Sequence, residues 1–322
     1  MTSGGGLPRV PVHDLRHAAD LVRLERARTS DLLNEAAKAY SMAGLRLGDE
    51  VSRRWLKRRG NPYLPDIAAI AHAMGRPGGY ALNLSYEWAC TSAVQPGFLA
   101  RTLDWRLEGL GRNVAVARLN GPAGPWAAVT WPGFAGVITG LAKGRFAAAI
   151  NQAPLSRTSL PYAGDWMRVR LALWKSSALP PAHLLRQAFE TCRDYGEAQA
   201  LLRDAPVALP VFYSLSGVED GQSCVIERTQ GGAFLHPGPC AVANHWLTPG
   251  HSGAPRGHDS LGRLALMEAN MSNLAWNFRW MQPPILNRDT RLGVLADAKT
   301  GRLGVQGWER ERPATEFLEI TC

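Results

Sequence analysis

The sequence predicts an α+β fold of four layers, two antiparallel sheets stacked face to face with helices outside them, preceded by a helical amino-terminal segment. Three observations carry this. Apolar residues recur at helical spacing through the first 80 residues; from Tyr80 the texture changes to short β-rich runs divided by turns; and helices and strands then recur in blocks rather than in strict alternation, which favours antiparallel sheets over parallel βαβ units. A chain of 322 residues, 46% hydrophobic and 20% charged, has the size and composition to bury a substantial core.

Element by element, 12–42 reads as a long amphipathic helix or a pair, with Leu21, Leu24, Leu32, Leu33 and Ala36 on one face. Asn61-Pro62 interrupts the pattern, 64–74 resumes it, and Gly75-Arg76-Pro77-Gly78-Gly79 ends it, so the first 80 residues are expected to be helical. Strands are expected at 97–103, 114–119, 126–130, 136–141 and 146–151, with hairpin connections at 120–125 and Lys143-Gly144. Two helices follow, 162–177 and 181–203, then strands at 211–215, 223–228, 233–236 and 240–244. A helix over 259–277 and strands at 293–296, 302–305 and 315–320 complete the chain.

The net charge of +9 attracts an anionic partner, and its densest cluster is Arg53-Arg54-Trp55-Leu56-Lys57-Arg58-Arg59. Those five cations read either as a solvated helix face or as a membrane-surface contact; nucleic acid is not expected. The amino terminus shows no secretory signal and no apolar run approaches the roughly 18 residues of a spanning helix, so a cytoplasmic protein is expected. Five cysteines without paired spacing fit a reducing compartment. His236, Cys240, His245, His251 and His258 crowd one region, but without a zinc-type ligand pair, so neither a metal nor another cofactor is expected.

The chemistry concentrates at Cys90-Thr91-Ser92, with Arg101-Thr102-Leu103-Asp104-Trp105 eleven residues on in a strand. A cysteine beside an arginine and a carboxylate on neighbouring strands makes an activated nucleophile: a cation lowers the thiol pKa, and a newly formed amino terminus needs an acceptor. The same residues also describe an inert buried cysteine beside a structural ion pair.

Further segments extend the pattern. Residues 82–92, Leu-Asn-Leu-Ser-Tyr-Glu-Trp-Ala-Cys-Thr-Ser, resemble the processing junction of the acid ceramidase and N-acylethanolamine acid amidase family, amino-terminal-nucleophile (Ntn) hydrolases near the choloylglycine hydrolases. Arg101 to Trp105 is similar to that family's Arg-Asn-x-Asp-aromatic motif, and Phe134-Ala135-Gly136 to Gly140, followed by Asn151-Gln152, is similar to its glycine-rich segment. Gly221 to Arg228, Ala243-Asn244-His245-Trp246 and Arg263 continue the resemblance, which covers roughly residue 81 to the end.

The resemblance implies the Ntn sandwich, with 1–89 a propeptide or small subunit and 90–322 the catalytic domain. It implies self-cleavage between Ala89 and Cys90, then hydrolysis of an N-acyl amide through a thioester on Cys90. Asp104 holds the Cys90 amine, Arg101 supports the thiolate, Asn244 with Asn151 donates to the oxyanion, and Arg263 supports the site or the leaving group. Trp105, Trp131, Phe134, Gln152, His245 and Trp246 are the substrate-pocket candidates. Thr102, Gln152 and His245-Trp246 depart from the family pattern, which leaves the substrate open. An acyltransferase of the same chemistry is one alternative, and an unprocessed lipid- or nucleic-acid-binding homologue is another.

Overall fold

The computed structural model describes residues 6–85, 88–154, 173–251 and 253–322. Four helices open the chain: α1 (Ala18–Leu24), α2 (Arg26–Tyr40), α3 (Met42–Arg58) and α4 (Leu64–Met74). Gly75 closes α4 at φ +63°, the left-handed cap that glycine adopts without a Cβ clash. The expectation of an entirely helical start is corrected by a short strand, β1 (Val12–Asp14), whose backbone pairs in parallel with β4 (Ala115–Gly121). Apolar spacing alone did not distinguish three extended residues from the turn of helix that follows them.

The first sheet runs β1-β4-β5-β6-β7-β8-β9-β10, with β5 (Gly124–Thr130), β6 (Thr139–Ala142), β7 (Phe146–Gln152), β8 (Val211–Ser216), β9 (Ser223–Arg228) and β10 (Ala233–Pro237). Apart from the β1–β4 pair its neighbours are antiparallel. The second sheet contains β2 (Ala89–Gln95), β3 (Phe98–Asp104), β11 (Cys240–Val242), β12 (Thr290–Asp297), β13 (Arg302–Glu309), β14 (Arg312–Pro313) and β15 (Leu318–Thr321). Its order is β11-β2-β3-β12-β13-β14, with β15 also on β13.

Strands β2 and β3 face β7 and β8 across the core, and helices α5 (Pro181–Thr191) and α6 (Tyr195–Asp204) cover the other face of the first sheet. Helix α7 (Ser260–Asn270) packs on β2 and β11, which completes the four layers. Side chains alternate along each strand. Phe146 of β7 therefore stacks on Phe189 of α5, ring centroids 4.8 Å apart, whereas Asn151 of β7 points to the second sheet.

The helix expected over 181–203 is two helices, because Asp194 accepts the Glu197 N–H at 2.8 Å and caps a new start. The strand expected over 240–244 stops at Val242, and the helix expected over 259–277 ends at Asn270, followed by a 3₁₀ turn, Met271–Asn273. The helix expected over 162–177 falls largely on 155–172, outside the described residues. No helix among the described residues is long and apolar enough to cross a membrane.

A buried polar seam joins the amino-terminal helices to α5. Asn61 bonds His183 Nδ1 at 3.0 Å, Tyr63 donates to Glu190 at 2.8 Å, and Arg186 pairs with Asp66 at 2.6 Å and Glu190 at 2.7 Å while its guanidinium lies 4.2 Å from the Tyr63 ring centre. Burial, with Arg186 nearby, pushes the His183 imidazole down to about 3. A depressed histidine contributes stability that is complete above its unfolded pKa of about 6.5 and is lost as pH falls toward 3. The melting temperature is expected to fall by several degrees between pH 7 and pH 4.5, and His183→Gln, which cannot titrate, to flatten that fall. An equal acid sensitivity in the variant would remove His183 as its source.

Candidate active site

Register fixes which groups meet. Cys90 pairs with Leu103, Ser92 with Arg101 and Ala89 with Asp104, and residues directly opposite in a sheet share a face. Cys90, Ser92 and Arg101 therefore look into the space between the sheets, while Ala89, Thr91 and Asp104 look toward α7. Arg101 and Asp104, three residues apart in one strand, serve opposite faces of the same sheet.

On the inner face Arg101 Nη2 donates to Cys90 Sγ at 3.0 Å and to the Ile150 carbonyl at 3.0 Å. Ser92 Oγ donates to Asn151 Oδ1 at 2.5 Å, and Asn151 Nδ2 donates to the carbonyls of Val242 and Ala243 at 3.1 and 3.2 Å. Cys90 and Arg101 are fully buried. Arg101 and Arg263 lower the thiol pKa, but burial dominates and pushes it up to about 11. The neutral thiol is therefore the favoured form at neutral pH. The Arg101 charge favours the thiolate, and desolvation outweighs it.

On the outer face Arg263, from α7, donates through Nη1 to the Cys90 carbonyl at 2.6 Å and to Thr91 Oγ1 at 2.9 Å, and through Nη2 to Asn244 Oδ1 at 3.1 Å. Its Nη1 lies 3.9 Å from Asp104 Oδ2. Asp104 accepts from Asn287 Nδ2 and Thr290 Oγ1, each at 3.0 Å. Burial raises its carboxyl pKa against the opposing pull of Arg263 and these two donors.

The Cys90 nitrogen has a different partner. Strand β11 pairs Val242 with Ser92 and then stops, so the Cys90 N–H extends past the end of the ladder. Asn244, two residues on, fills the gap with its side chain: Oδ1 accepts the Cys90 N–H at 2.7 Å, and Nδ2 donates to the Gln152 carbonyl at 2.7 Å. Ser260, at the start of α7, accepts the Asn244 N–H at 2.8 Å and lies 2.8 Å from His245 Nδ1. Burial, with help from Arg263, lowers the His245 pKa.

Cys90, Arg101, Asp104, Asn151, Asn244 and Arg263 thus form one connected network around the Ala89–Cys90 bond. The pocket candidates divide. Trp105, Trp131 and Phe134 line one apolar cavity together with Trp88, Leu32, Leu33 and Met74. Trp246 lines a separate cleft with His251 and Gln230, while Gln152 meets the site through its backbone carbonyl. A second cavity beside Trp88, of about 320 Å³, has Trp88, Trp55, Val51 and Leu84 in its wall. Among the described residues both Trp88 cavities draw walls from the segment before Cys90.

Sequence reasoning missed Ser92, Ser260, Asn287 and Thr290. Ser92 was within reach, since it shares the strand face of Cys90; the other three come from distant segments with no local signal. Because Asn287 supplies a hydrogen bond to a fully buried carboxylate, Asn287→Leu is expected to lower the unfolding free energy by about 1–3 kcal/mol. Denaturant unfolding that matches the parent would show Asp104 satisfied without it.

No protein-family model matches the chain. It is 25% identical to Rattus norvegicus acid ceramidase over 244 residues, covering 66% of this chain and 59% of that protein. It is 24% identical to Cavia porcellus N-acylethanolamine-hydrolyzing acid amidase over 182 residues, covering 53% of this chain and 49% of the relative. Among solved structures, the Caenorhabditis elegans ortholog of that amidase superposes with a TM-score of 0.48 at 16% identity, covering 64% of this chain and 91% of the other. The chain spans less than two thirds of the curated relatives it matches, from 24% to 59% of their length. By sequence, then, the chain is similar over part of its length to acid ceramidase and to N-acylethanolamine-hydrolyzing acid amidase.

Proposed function

We propose that the chain cuts itself between Ala89 and Cys90 and then hydrolyses an N-acyl amide through a thioester on Cys90. One observation carries the reading: sulfur, nitrogen and carbonyl of Cys90 are each held by a different side chain, Arg101, Asn244 and Arg263. In scission, Cys90 Sγ adds to the Ala89 carbonyl, the C–N bond breaks toward Cys90 nitrogen, and the nitrogen takes up a proton. Water then cleaves the Ala89 thioester and leaves a free thiol beside an α-amine.

That amine, with an unperturbed pKa of about 7.7–8.0, takes the thiol proton in each turnover. Sγ adds to the substrate carbonyl, the proton passes to the departing amine, and water hydrolyses the acyl thioester. Asn244 and Asn151 act on the oxyanion, Asp104 and Arg263 on the freed amine and its surroundings, and Arg101 on the sulfur. The apolar lining of the Trp88 cavities supports an acyl chain as the group transferred. Residues 1–89 serve as the propeptide or small subunit and 90–322 as the catalytic domain, with the His183 and Arg186 seam holding the two together after scission. Five free cysteines support a reducing, cytoplasmic setting.

The test is a panel of N-acyl amides varied in chain length and amine. Turnover with an acyl group trapped on Cys90 is expected, and Cys90→Ala is expected to abolish both scission and turnover; scission in that variant would exclude the thiol. Asn244→Ala is expected to lower kcat by about 100- to 1,000-fold with a much smaller change in KM. An unchanged kcat would assign Asn244 to structure alone. Added amines that capture the acyl group faster than water does would shift the reading to an acyltransferase.

An anionic lipid surface is the proposed partner of α3. Its exposed face carries Leu47 and Val51, 68% and 47% exposed, and then the cations Arg53, Arg54, Lys57 and Arg58, with Arg59 turned to the Trp174 carbonyl. Glu50 pairs with Arg53 and Arg54, and Val51 also borders the cavity that reaches Trp88. Sedimentation with phosphatidylserine vesicles is expected to be salt-sensitive and at least several-fold weaker for Lys57→Glu with Arg58→Glu. Equal binding by the double variant would remove this face as the contact.

A further inference from the structure

Cross-strand register carries the row of Asn151 outward through the first sheet. Asn151 of β7 lies opposite Phe212 of β8, Phe212 opposite Glu227 of β9, and Glu227 opposite Phe234 of β10. These four side chains share the face that looks toward the second sheet. At a position where strand alternation calls for an apolar residue, Glu227 is fully buried. Burying a carboxylate is costly unless donors surround it.

Four donors do. The backbone N–H groups of Leu247 and Thr248 approach Glu227 at 3.1 Å each, Thr248 Oγ1 donates at 2.6 Å, and His236 Nε2 lies 2.7 Å away. Three of the four come from the turn that directly follows Asn244. That turn lies beyond the end of β11, so no ladder fixes it. Its front is tied to Ser260 through Asn244 and His245, and the Asn244 carbonyl accepts the Arg256 N–H at 3.0 Å. Its rear is tied to Glu227, and between the two ties Trp246 meets Phe212 edge to face, ring centroids 5.3 Å apart.

We propose that Glu227 is a positioning residue for the reaction: by gathering the Leu247 and Thr248 donors it anchors the 245–248 turn and so keeps Asn244 Oδ1 on the Cys90 nitrogen. The carboxylate touches neither sulfur nor substrate and acts through Asn244. A carboxylate suits the place better than an amide, because it only accepts and all three turn groups can donate to it. The proposal rests on the reading of Cys90 as nucleophile, since only then does the placement of its nitrogen govern a rate.

Two measurements test it. The first needs no catalysis: in the uncut Cys90→Ala chain, hydrogen exchange of the residue-90 amide reports directly on the bond to Asn244. Glu227→Gln and Thr248→Val are expected to speed that exchange at least tenfold while the amide of Val305, in β13, keeps its rate. Unchanged exchange at residue 90, or an equal rise at both amides, overturns the clamp. The second uses the processed enzyme: the same variants are expected to lower kcat by about 10- to 100-fold with KM within twofold, the signature of misplaced reacting groups. An unchanged kcat in variants of an active parent also overturns it. A parent that turns over no amide contradicts the proposed function instead, and the exchange result then decides the clamp alone.

Discussion

The hydrogen bond from the Cys90 backbone nitrogen to Asn244 Oδ1, 2.7 Å long, is the contact on which the rest of the site depends. A buried N–H at a strand end has to be satisfied, and a neighbouring strand ordinarily does it. Here β11 stops two residues short, and a side-chain amide takes the place of the missing carbonyl. A backbone carbonyl in a ladder would serve the peptide nitrogen and nothing else. The Asn244 side chain accepts from that nitrogen through Oδ1 while its Nδ2 donates to the Gln152 carbonyl at 2.7 Å, so one amide ties this strand end to β7 of the other sheet. The surrounding architecture follows from this need: α7 brings Arg263 and Ser260 to Asn244, and β7 brings the Gln152 carbonyl.

At Cys90 two opposing electrostatic effects compete. Two guanidinium groups favour the thiolate, yet complete burial holds the thiol near 11. The walls of both Trp88 cavities include residues that precede Cys90 in the chain. Trp88, two residues before Cys90, is common to both linings. Asp104 is subject to the same competition, its burial opposed by Arg263, Asn287 and Thr290, and its carboxyl pKa ends above the ordinary value.

The layer order was legible because block alternation of helices and strands and the turn residues between them are local signals. The strand expected at 223–228 is β9, and the helix expected at 64–74 is α4. Strand β1 was not legible: its three residues acquire their conformation from β4, more than 100 positions away. The break at Asp194 was written in a capping residue that the apolar periodicity across it concealed. At the site, Cys90, Arg101, Asn244 and Arg263 could be named from motifs. Their partners Asn287, Thr290 and Ser260 could not, because only the tertiary fold brings them within 3 Å. Glu227 did leave a trace, a charge on the apolar face of a strand, and its meaning emerged only when the turn after Asn244 was seen to lean on it.

The central claim is that Cys90 becomes an amino terminus. Amino-terminal sequencing of the purified protein, incubated until its mass is constant, tests it most directly. The account predicts a second sequence beginning Cys-Thr-Ser, in amounts equal to the original amino terminus. One uncut sequence that persists in folded protein would contradict it.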